Sequence, residues 1–293
     1  MKAIIKSNSQ HLSPPIAAML TVFCLFTAPQ PAGAAPTGQS AIVIHANTGD
    51  VIHACHEEAT RFPASLTKIM TLYMVFEALE QGRLTLDQAL PVSRQAARQP
   101  RVKLDLKHGE TITVEQAILA LVARSANDVA TVVAEAIGGT EEEFAHMMTM
   151  RANSLGMKDT LFRNASGLPN AEQVTSAKDM ARLAEAIWLR FPNRFEYFNT
   201  QAFSFGGKDY ESHNKLLKTY EGADGMKTGY TRASGFNLVS SAIRKGHRLI
   251  AVVIGGTTGK KRDTYMEKIL DFGFDKLLNG AEAPPKAPPC GFK

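Results

Sequence analysis

The sequence is poor in cysteine and tryptophan and carries no strong excess of charge of either sign. Its 293 residues include three cysteines and one tryptophan, and the formal net charge is +5. No C-x-x-C pair and no H-E-x-x-H segment occurs, so a dithiol redox motif and the commonest zinc-peptidase motif are both absent. We therefore expect no metal and no cofactor. The weak positive charge gives no reason to expect a nucleic-acid partner.

Disorder is excluded by composition, because 44% of the residues are hydrophobic and 21% are charged, as in ordinary globular proteins. A chain of this length is long enough for one or two domains with a full-sized core. Three cysteines are too few for a disulfide framework. The fold must therefore be stabilised mainly by the burial of apolar side chains.

The first 34 residues are typical of a secretory signal peptide. Lys2 and Lys6 form a positively charged start, an apolar run follows from Ile16 to Ala28, and Ala32-Gly33-Ala34 fits a cleavage site. The apolar run has 13 residues, whereas a membrane-spanning helix needs ~20, so an uncleaved anchor is the less favoured alternative. We expect export to the periplasm and a mature chain that begins near Ala35.

Export permits a disulfide bond, because the compartments outside the cytoplasm are oxidising. Cys24 lies in the signal segment, so the mature chain keeps Cys55 and Cys290. Their separation in sequence does not decide whether they pair. Neither is expected to be catalytic.

Strand-like segments occur at both ends of the mature chain, and helical segments fill the middle. Residues 41–44 and 51–54 flank a turn signal, and 236–243 and 248–254 form a second such pair. Strands joined by short links pair antiparallel, so both ends are expected to share one sheet. The middle is expected to form a helical insert at roughly 82–200.

Helices are predicted from apolar spacing and from capping patterns. The predicted segments are 65–79, 114–123, 129–137, a helix after Thr140, a helix after Ser176, and a C-terminal helix that includes 269–278. The last residues, 281–293, contain four prolines and little apolar material. We expect them to form a flexible tail.

The first chemical motif is Ser65-Leu66-Thr67-Lys68. Residues three apart share a helix face, so the Ser65 hydroxyl and the Lys68 amine can meet. The helix is apolar almost all round and should be buried, which favours the neutral amine, a base beside a nucleophile. Taken alone, the motif favours a simpler interpretation, a capping serine with a lysine that reaches the surface. A second Ser-x-x-Lys occurs at 212–215.

Two further motifs follow, at spacings of 60 and 102 residues. Ser125-Ala126-Asn127 lies between two apolar helical stretches and could simply cap the second of them. Lys227-Thr228-Gly229 occurs once; a lysine and a threonine beside a glycine could bind a carboxylate, or could form a basic turn before a strand. Each motif alone is weak, but the three in this order are specific for serine acyltransferases.

The chain resembles the serine D-alanyl-D-alanine carboxypeptidases, which are low-molecular-mass penicillin-binding proteins. The resemblance extends from Ala41 to Leu278 and includes the segments 63–71, 125–128, 162–168 and 224–229. It implies an α/β fold of the α+β type, as in β-lactamases and transpeptidases. An antiparallel five-stranded sheet would be flanked by helices, an all-helical lobe would lie beside it, and the site would lie between. The catalytic domain would occupy 35–280.

The resemblance also implies the catalytic roles. Ser65 would be the acylated nucleophile, Lys68 its general base, and Ser125 a proton relay to the leaving D-alanine. Gly229 would permit close approach of the ligand to the backbone. The N–H groups of Ser65 and Tyr230 would form the oxyanion hole.

The remaining roles concern substrate binding. Asn127 would hold the peptide amide of the substrate, and Lys227 and Thr228 would bind its terminal carboxylate. Arg262, which follows the last strand, would supply a further cation for that carboxylate.

The implied activity is removal of the terminal D-alanine from peptidoglycan stem pentapeptides, with β-lactams as covalent inhibitors. A D,D-endopeptidase uses the same residues and stays open as an alternative. A β-lactamase is less favoured, because no Glu-x-x-Leu-Asn segment lies between the second and third motifs. A catalytically silent wall-binding protein is the third alternative. Larger members carry a second β domain and a membrane-anchoring helix, and the proline-rich end shows neither, so we expect a soluble periplasmic protein without a stable membrane anchor.

Overall fold

The computed structural model describes residues 1–4, 38–279 and 286–291. Most of the predicted signal segment therefore lies outside the described residues, and its prediction is untested. The chain divides into two compact units, 1–33 and 34–293, and the fold described below is that of the second. Within the described ranges no helix combines the length and the apolar character that crossing a membrane requires.

The largest sheet of the described chain is antiparallel and has five strands in the order β2-β1-β9-β8-β7. Its strands are β1 (Ser40–His45), β2 (Val51–Cys55), β7 (Ala223–Thr231), β8 (Gly235–Arg244) and β9 (His247–Gly256). β1 pairs with β9, so strands from the two ends of the second unit share one sheet, as the sequence predicts. Two small ribbons pair β3 (Ala89–Pro91) with β4 (Thr111–Thr113), and β5 (Ala202–Phe205) with β6 (Lys208–Glu211).

Helices occupy most of the chain between β2 and β7 and follow β9. They are α1 (Thr67–Glu80), α2 (Arg94–Ala97), α3 (Val114–Leu119), α4 (Asn127–Gly138), α5 (Glu141–Ser154), α6 (Ala177–Arg190), α7 (Pro192–Phe195), α8 (Leu216–Thr219) and α9 (Gly259–Leu278). The predicted caps are present, since the hydroxyls of Thr140 and Ser176 accept the N–H groups of Glu143 and Asp179.

The sheet is buried on both faces, and the two-residue period of its strands divides the core in two. Ile250, Val252 and Ile254 pack with α1, α4 and α6 in the larger core. Leu249, Ala251 and Val253 face the other way, against apolar side chains of α9. The site described below lies where the start of α1 meets the sheet, on the side of the larger core.

The structure differs from the sequence-based expectations in three places. β7 was not predicted as a strand, the two ribbons were missed, and the helix predicted at 114–123 continues as a π-helical turn over Ala120–Arg124. β7 contains two glycines, an aspartate and a lysine, so its local propensity is low and its pairing with β8 decides its conformation. The ribbon strands are three or four residues long, too short for a periodic signal.

A disulfide joins Cys55, at the end of β2, to Cys290 in the C-terminal tail, with a Cα–Cα distance of 5.6 Å. The Tyr265 hydroxyl on α9 also donates to the Pro289 carbonyl, at 3.2 Å. Cys290 and Pro289 are therefore attached to the domain, and the flexibility of 281–293 stays a prediction. The sequence alone left the disulfide undecided.

Candidate active site

Ser65 lies in a short 3-10 turn, Ala64–Leu66, immediately before α1. Ser65 is half-buried, whereas Lys68 in the first turn of α1 has 0% relative exposure. Because neighbours on both sides of Lys68 are also buried, its amine cannot reach the surface. Neither the turn nor the helix has a side-chain cap, so the alternative of a capping serine with a surface-reaching lysine is wrong.

The Lys68 amine is held by three oxygen acceptors. Its Nζ lies 3.4 Å from Ser65 Oγ, 2.8 Å from Asn127 Oδ1 and 2.5 Å from the Ser166 carbonyl oxygen. Burial, followed by the nearby charge of Lys227, lowers the pKa of Lys68 well below its usual value. An amine with a depressed pKa beside a serine hydroxyl can accept its proton.

The second motif lies at a break between two helical segments. Ser125 ends the π-helical turn in a left-handed conformation, φ 61°, and Ala126 is the N-cap of α4 without a side-chain cap bond. Capping therefore does not explain Ser125 or Asn127. The Asn127 amide bridges Lys68 and the Pro100 carbonyl. The Ser125 hydroxyl is buried without a hydrogen-bond partner in the described chain, so it is available to a bound molecule.

The third motif lies within β7, and the alternative of a basic turn before a strand is wrong. Lys227 is 1% exposed, and burial together with the charge of Arg262 lowers its pKa to about 7. Gly229 lies against the turn that carries Ser65: a Cβ at this position would stand 3.1 Å from the Ser65 backbone nitrogen. Glycine thus permits the close approach of β7 to Ser65, a role different from the expected approach of a ligand. Tyr230 follows with 56% exposure.

Arg262 is buried at the start of α9. Its guanidinium pairs with Asp263, at 2.7 Å, and donates to the Asn237 carbonyl, at 3.0 Å. It also lies near enough to Lys227 to depress the pKa of that amine. Arg262 therefore adds positive charge to this region, although part of its guanidinium is already bonded to Asp263 and to the Asn237 carbonyl.

Asn237 on β8 has a role that sequence reasoning missed. Its amide nitrogen donates to the carbonyls of Phe62 and Pro63, at 3.1 and 3.2 Å, and its oxygen accepts the Gly255 N–H. One side chain thus ties the chain segment before Ser65 to β8 and β9. No local motif marks it, because its partners before Ser65 are about 175 residues away in sequence.

The segment around Asn164 forms another wall of the site. Asn164 Oδ1 accepts the N–H groups of Ser166, Gly167 and Leu168, which fixes the turn that presents the Ser166 carbonyl to Lys68. Gly167 has φ +84°, and a Cβ there would lie 1.8 Å from the Ala64 carbonyl oxygen. This segment was among those that carry the family resemblance, but no role had been derived for it.

His213 is a further neighbour of the site that none of the three sequence motifs marked. Its backbone N–H donates to Ala123 beside the second motif, and the next residue, Asn214, donates to the Gly225 carbonyl on β7. Partial burial, followed by nearby cations, lowers the pKa of His213 to about 4, so the ring is neutral near neutral pH. Those cations are Lys227, Arg124 and Lys68.

One group of metal-ligating side chains lies close together in the described part of the chain, namely Cys55, His56 and Cys290. Its two cysteines are joined to each other, so their sulfurs are not available as thiolate ligands. The candidate site itself consists of hydroxyl, amine and amide groups. Such a set is suited to acyl transfer to a serine.

Comparison with known proteins agrees with this geometry. The sequence profile described as D-alanyl-D-alanine carboxypeptidase (Peptidase_S11) matches residues 26–258. The D-alanyl-D-alanine carboxypeptidase DacF of Bacillus subtilis is 34% identical over 249 residues, which cover 81% of this chain and 62% of the relative. The chain thus spans about three fifths of the length of that curated relative.

Solved structures of penicillin-binding proteins are also similar to this chain. Penicillin binding protein 5 from Haemophilus influenzae has a TM-score of 0.78 and 32% identity, over 85% of this chain and 72% of the other. Penicillin-Binding Protein D2 from Listeria monocytogenes, solved in a cefotaxime-bound form, has a TM-score of 0.74 and 30% identity, over 80% and 96%. The chain belongs to the D-alanyl-D-alanine carboxypeptidase family, Peptidase_S11.

Proposed function

We propose that the protein is a serine D,D-carboxypeptidase that removes the terminal D-alanine of peptidoglycan stem peptides through an acyl-enzyme on Ser65. The observation that carries the proposal is the Lys68 amine. It is completely buried, its pKa is strongly depressed, and it lies within hydrogen-bond distance of both Ser65 and Asn127. A buried lysine in this position is a base rather than a surface charge.

In the acylation step, the Ser65 oxygen attacks the carbonyl carbon between the last two D-alanines while its proton passes to the neutral Lys68 amine. The tetrahedral oxyanion is bound by the N–H groups of Ser65 and Tyr230. The intermediate collapses, the C–N bond breaks, and the proton held by Lys68 passes through the Ser125 hydroxyl to the leaving amine, so Lys68 is neutral again. D-alanine departs, and the rest of the peptide remains as an ester on Ser65.

Deacylation repeats these chemical steps with water as the nucleophile. Lys68 accepts a proton from water, the hydroxide adds to the ester carbonyl, and the Ser65 oxygen leaves and is reprotonated. The free enzyme and a shortened peptide with a new terminal carboxylate result. The step is a hydrolysis that consumes one water, so no oxidant or reductant enters the balance.

Substrate orientation is the role of the second and third motifs. Asn127 holds the substrate amide, and Lys227 and Thr228 bind the terminal carboxylate, with Arg262 as a further positive charge nearby. The unpartnered Ser125 hydroxyl and the two buried cations support this proposal. An apolar cavity of about 200 Å³ beside the Ser65 turn can take part of the acyl portion; its lining includes Phe62, Pro63, Leu168 and Thr231.

β-Lactams are proposed as covalent inhibitors that acylate Ser65. The cefotaxime-bound structure of the Listeria relative supports this proposal. The family membership also supports action on the cell wall. A periplasmic location, with a signal peptide at 1–34, is the corresponding proposal for where the enzyme acts.

The test is mass spectrometry of a stem pentapeptide that ends in D-Ala-D-Ala, incubated with the protein and with Ser65→Ala. We expect loss of one alanine with the wild type and none with the variant. The matched control is Ser212→Ala, in the other Ser-x-x-Lys of the chain, which should retain activity.

Three outcomes would contradict the proposal. Cleavage of cross-linked dimers only would identify an endopeptidase. Rapid turnover of a chromogenic cephalosporin without loss of alanine would identify a β-lactamase. No cleavage of any of these substrates, and no covalent penicillin adduct, would indicate a non-catalytic wall-binding protein.

A further inference from the structure

A carboxylate lies on the far side of the residues that hold the Lys68 amine. Glu141, the first residue of α5, is half-buried. Its Oε1 accepts the Ala165 N–H at 3.1 Å, and its Oε2 accepts from Thr131 Oγ1 at 3.4 Å and from Gln95 Nε2 at 3.3 Å. None of these partners belongs to the three motifs, and the mechanism above gives Glu141 no task.

The two shorter hydrogen bonds of the Lys68 amine are to the Ser166 carbonyl and to Asn127 Oδ1. Each of these acceptors lies close in sequence to a residue that is hydrogen-bonded to Glu141. The first acceptor, the Ser166 carbonyl, follows Ala165, whose N–H is held by Glu141 and whose carbonyl accepts from Thr71 Oγ1 at 2.7 Å. Ala165 is therefore fixed at both of its backbone polar groups. The position of the Ser166 carbonyl depends on that anchorage.

The second acceptor is the Asn127 side chain. The Thr131 hydroxyl, one turn further along α4, lies 3.4 Å from both the Asn127 backbone carbonyl and Glu141 Oε2, and it shares its single proton between these two acceptors. The carboxylate thus contacts the supports of both acceptors, one on the 164–168 segment and one on α4. A purely structural role for α5 would not require this convergence on one side chain.

We propose that Glu141 is a positioning residue for the general base: it anchors the Ser166 carbonyl and supports Asn127, between which the Lys68 amine is held, and it supplies a negative charge behind that amine. This inference rests on the proposed function, since it assigns Lys68 the role of base. It goes beyond that function because it names the residue that sets the geometry and the charge around the amine.

The negative charge of Glu141 changes the pKa of Lys68 in a definite direction. Glu141 raises the pKa of Lys68, against the larger lowering by burial and by Lys227. The other charged or titratable groups that face the amine are Asp128 on α4, which also raises this pKa, and His213 beside the second motif, which is neutral near pH 7. Removal of the Glu141 charge should therefore lower the pKa of Lys68 further.

The test is the rate of covalent labelling of Ser65 by a fluorescent penicillin, measured from pH 4 to pH 10 for the full chain. Glu141→Gln keeps the side-chain size and an oxygen acceptor for Ala165 but removes the charge. We expect its acid limb to move to lower pH by about 0.5 to 1 unit. Glu141→Asp keeps the charge but shortens the reach, so we expect an unmoved acid limb and labelling slowed by about 3- to 10-fold across the range.

The matched control is Glu142→Gln, which removes an adjacent, exposed carboxylate and should leave the profile unchanged. A Glu141→Gln profile that superimposes on the wild type would overturn the inference. So would an equal loss of rate at every pH in Glu141→Gln, because that would be a structural defect without an effect on the base. If the wild type itself is not labelled at any pH, the proposed function fails, and this result is distinct from the other two.

Discussion

At the scale of single residues, the proposed mechanism gives two buried lysines opposite tasks. In that mechanism, Lys68 must be neutral to accept a proton, and Lys227 must be charged to bind a carboxylate. Burial lowers the pKa of both amines, well below the usual value for Lys68 and to about 7 for Lys227. Acylation therefore needs a pH above the pKa of Lys68 and below that of Lys227.

This pair predicts a bell-shaped pH dependence of kcat/KM. The amine of Lys227 loses its charge as the pH rises through about 7 in the free enzyme. Carboxylate binding then weakens, so KM should rise on the alkaline side, by about 10-fold per pH unit at most. The measurement is the rate of D-alanine release from pH 5 to pH 10.

Lys227→Arg provides the matched variant for this prediction, because arginine keeps its charge throughout the range. We expect its alkaline limb to disappear, even if its maximal rate is lower. An alkaline limb at the same pH in both proteins would show that a different group causes it.

At the scale of elements, three segments that are remote in sequence meet through close backbone contacts. The turn before α1 carries Ser65, the start of α4 carries Asn127, and β7 carries Lys227. A Cβ on Gly167 would lie 1.8 Å from the Ala64 carbonyl oxygen and one on Gly229 would lie 3.1 Å from the Ser65 backbone nitrogen, so both glycines pack tightly against the turn of Ser65. The rigidity of the nucleophile therefore comes from packing against neighbouring backbone.

Gly167→Ala tests this packing. Its Cβ would collide with the Ala64 carbonyl, and its φ of +84° is unfavourable for alanine. We expect the free energy of unfolding to fall by about 3 kcal/mol or more, and penicillin labelling to slow at least 10-fold. The measurements are urea unfolding and labelling rate.

Gly246→Ala, in the turn between β8 and β9, is the matched control. Its φ is +80°, but no atom lies within 4 Å of the added Cβ. It should cost about 1 kcal/mol from backbone strain alone and leave labelling unchanged. Equal effects of the two variants would show that the contact with Ala64 is unimportant.

The sequence predicted those elements whose signal is local. β8 and β9 alternate between the two cores and flank a glycine turn, and the hairpin of β1 and β2 has a clear turn signal, so all four were predicted within about two residues. β7 was missed because its residues have low strand propensity and its pairing is imposed by β8. The short connections between strands predicted that the two chain ends pair antiparallel. A fifth strand in the sheet was implied only by the family resemblance.

The site residues also divide into those with a local sequence signal and those that depend on distant contacts. Ser65, Lys68 and Asn127 occur in short motifs, and the fold brings them together. Asn237 and Glu141 were missed, because each acts on backbone groups of a segment that is distant in sequence. No spacing rule reveals such contacts.

At the scale of the whole molecule, the Cys55–Cys290 bond closes a loop of 235 residues on the α9 side of the sheet. The bond restricts the unfolded chain, so its removal should destabilise the fold by about 2–5 kcal/mol. Ser65 lies on the other side of the sheet, in the larger core, so the labelling rate should not change.

The variant for this prediction is Cys55→Ser with Cys290→Ser, compared with the oxidised wild type by urea unfolding. Wild type treated with a reductant is the control and should match the double variant. Equal stability of the oxidised and reduced proteins would contradict the prediction, and a slower labelling of the double variant would contradict the separation from the site.

The pairing of β1 with β9 also has a consequence for the order in which the protein can fold. β1 lies between β2 and β9, and its partner on β9 is about 200 residues later in the chain. A growing chain therefore carries an apolar hairpin without its β9 partner until the roughly 200 residues that separate β1 from β9 have been made. Folding dominated by such distant contacts is slow, and the incomplete chain is prone to aggregate. We infer that a nascent chain remains non-native, and open to chaperones, until β9 has been made.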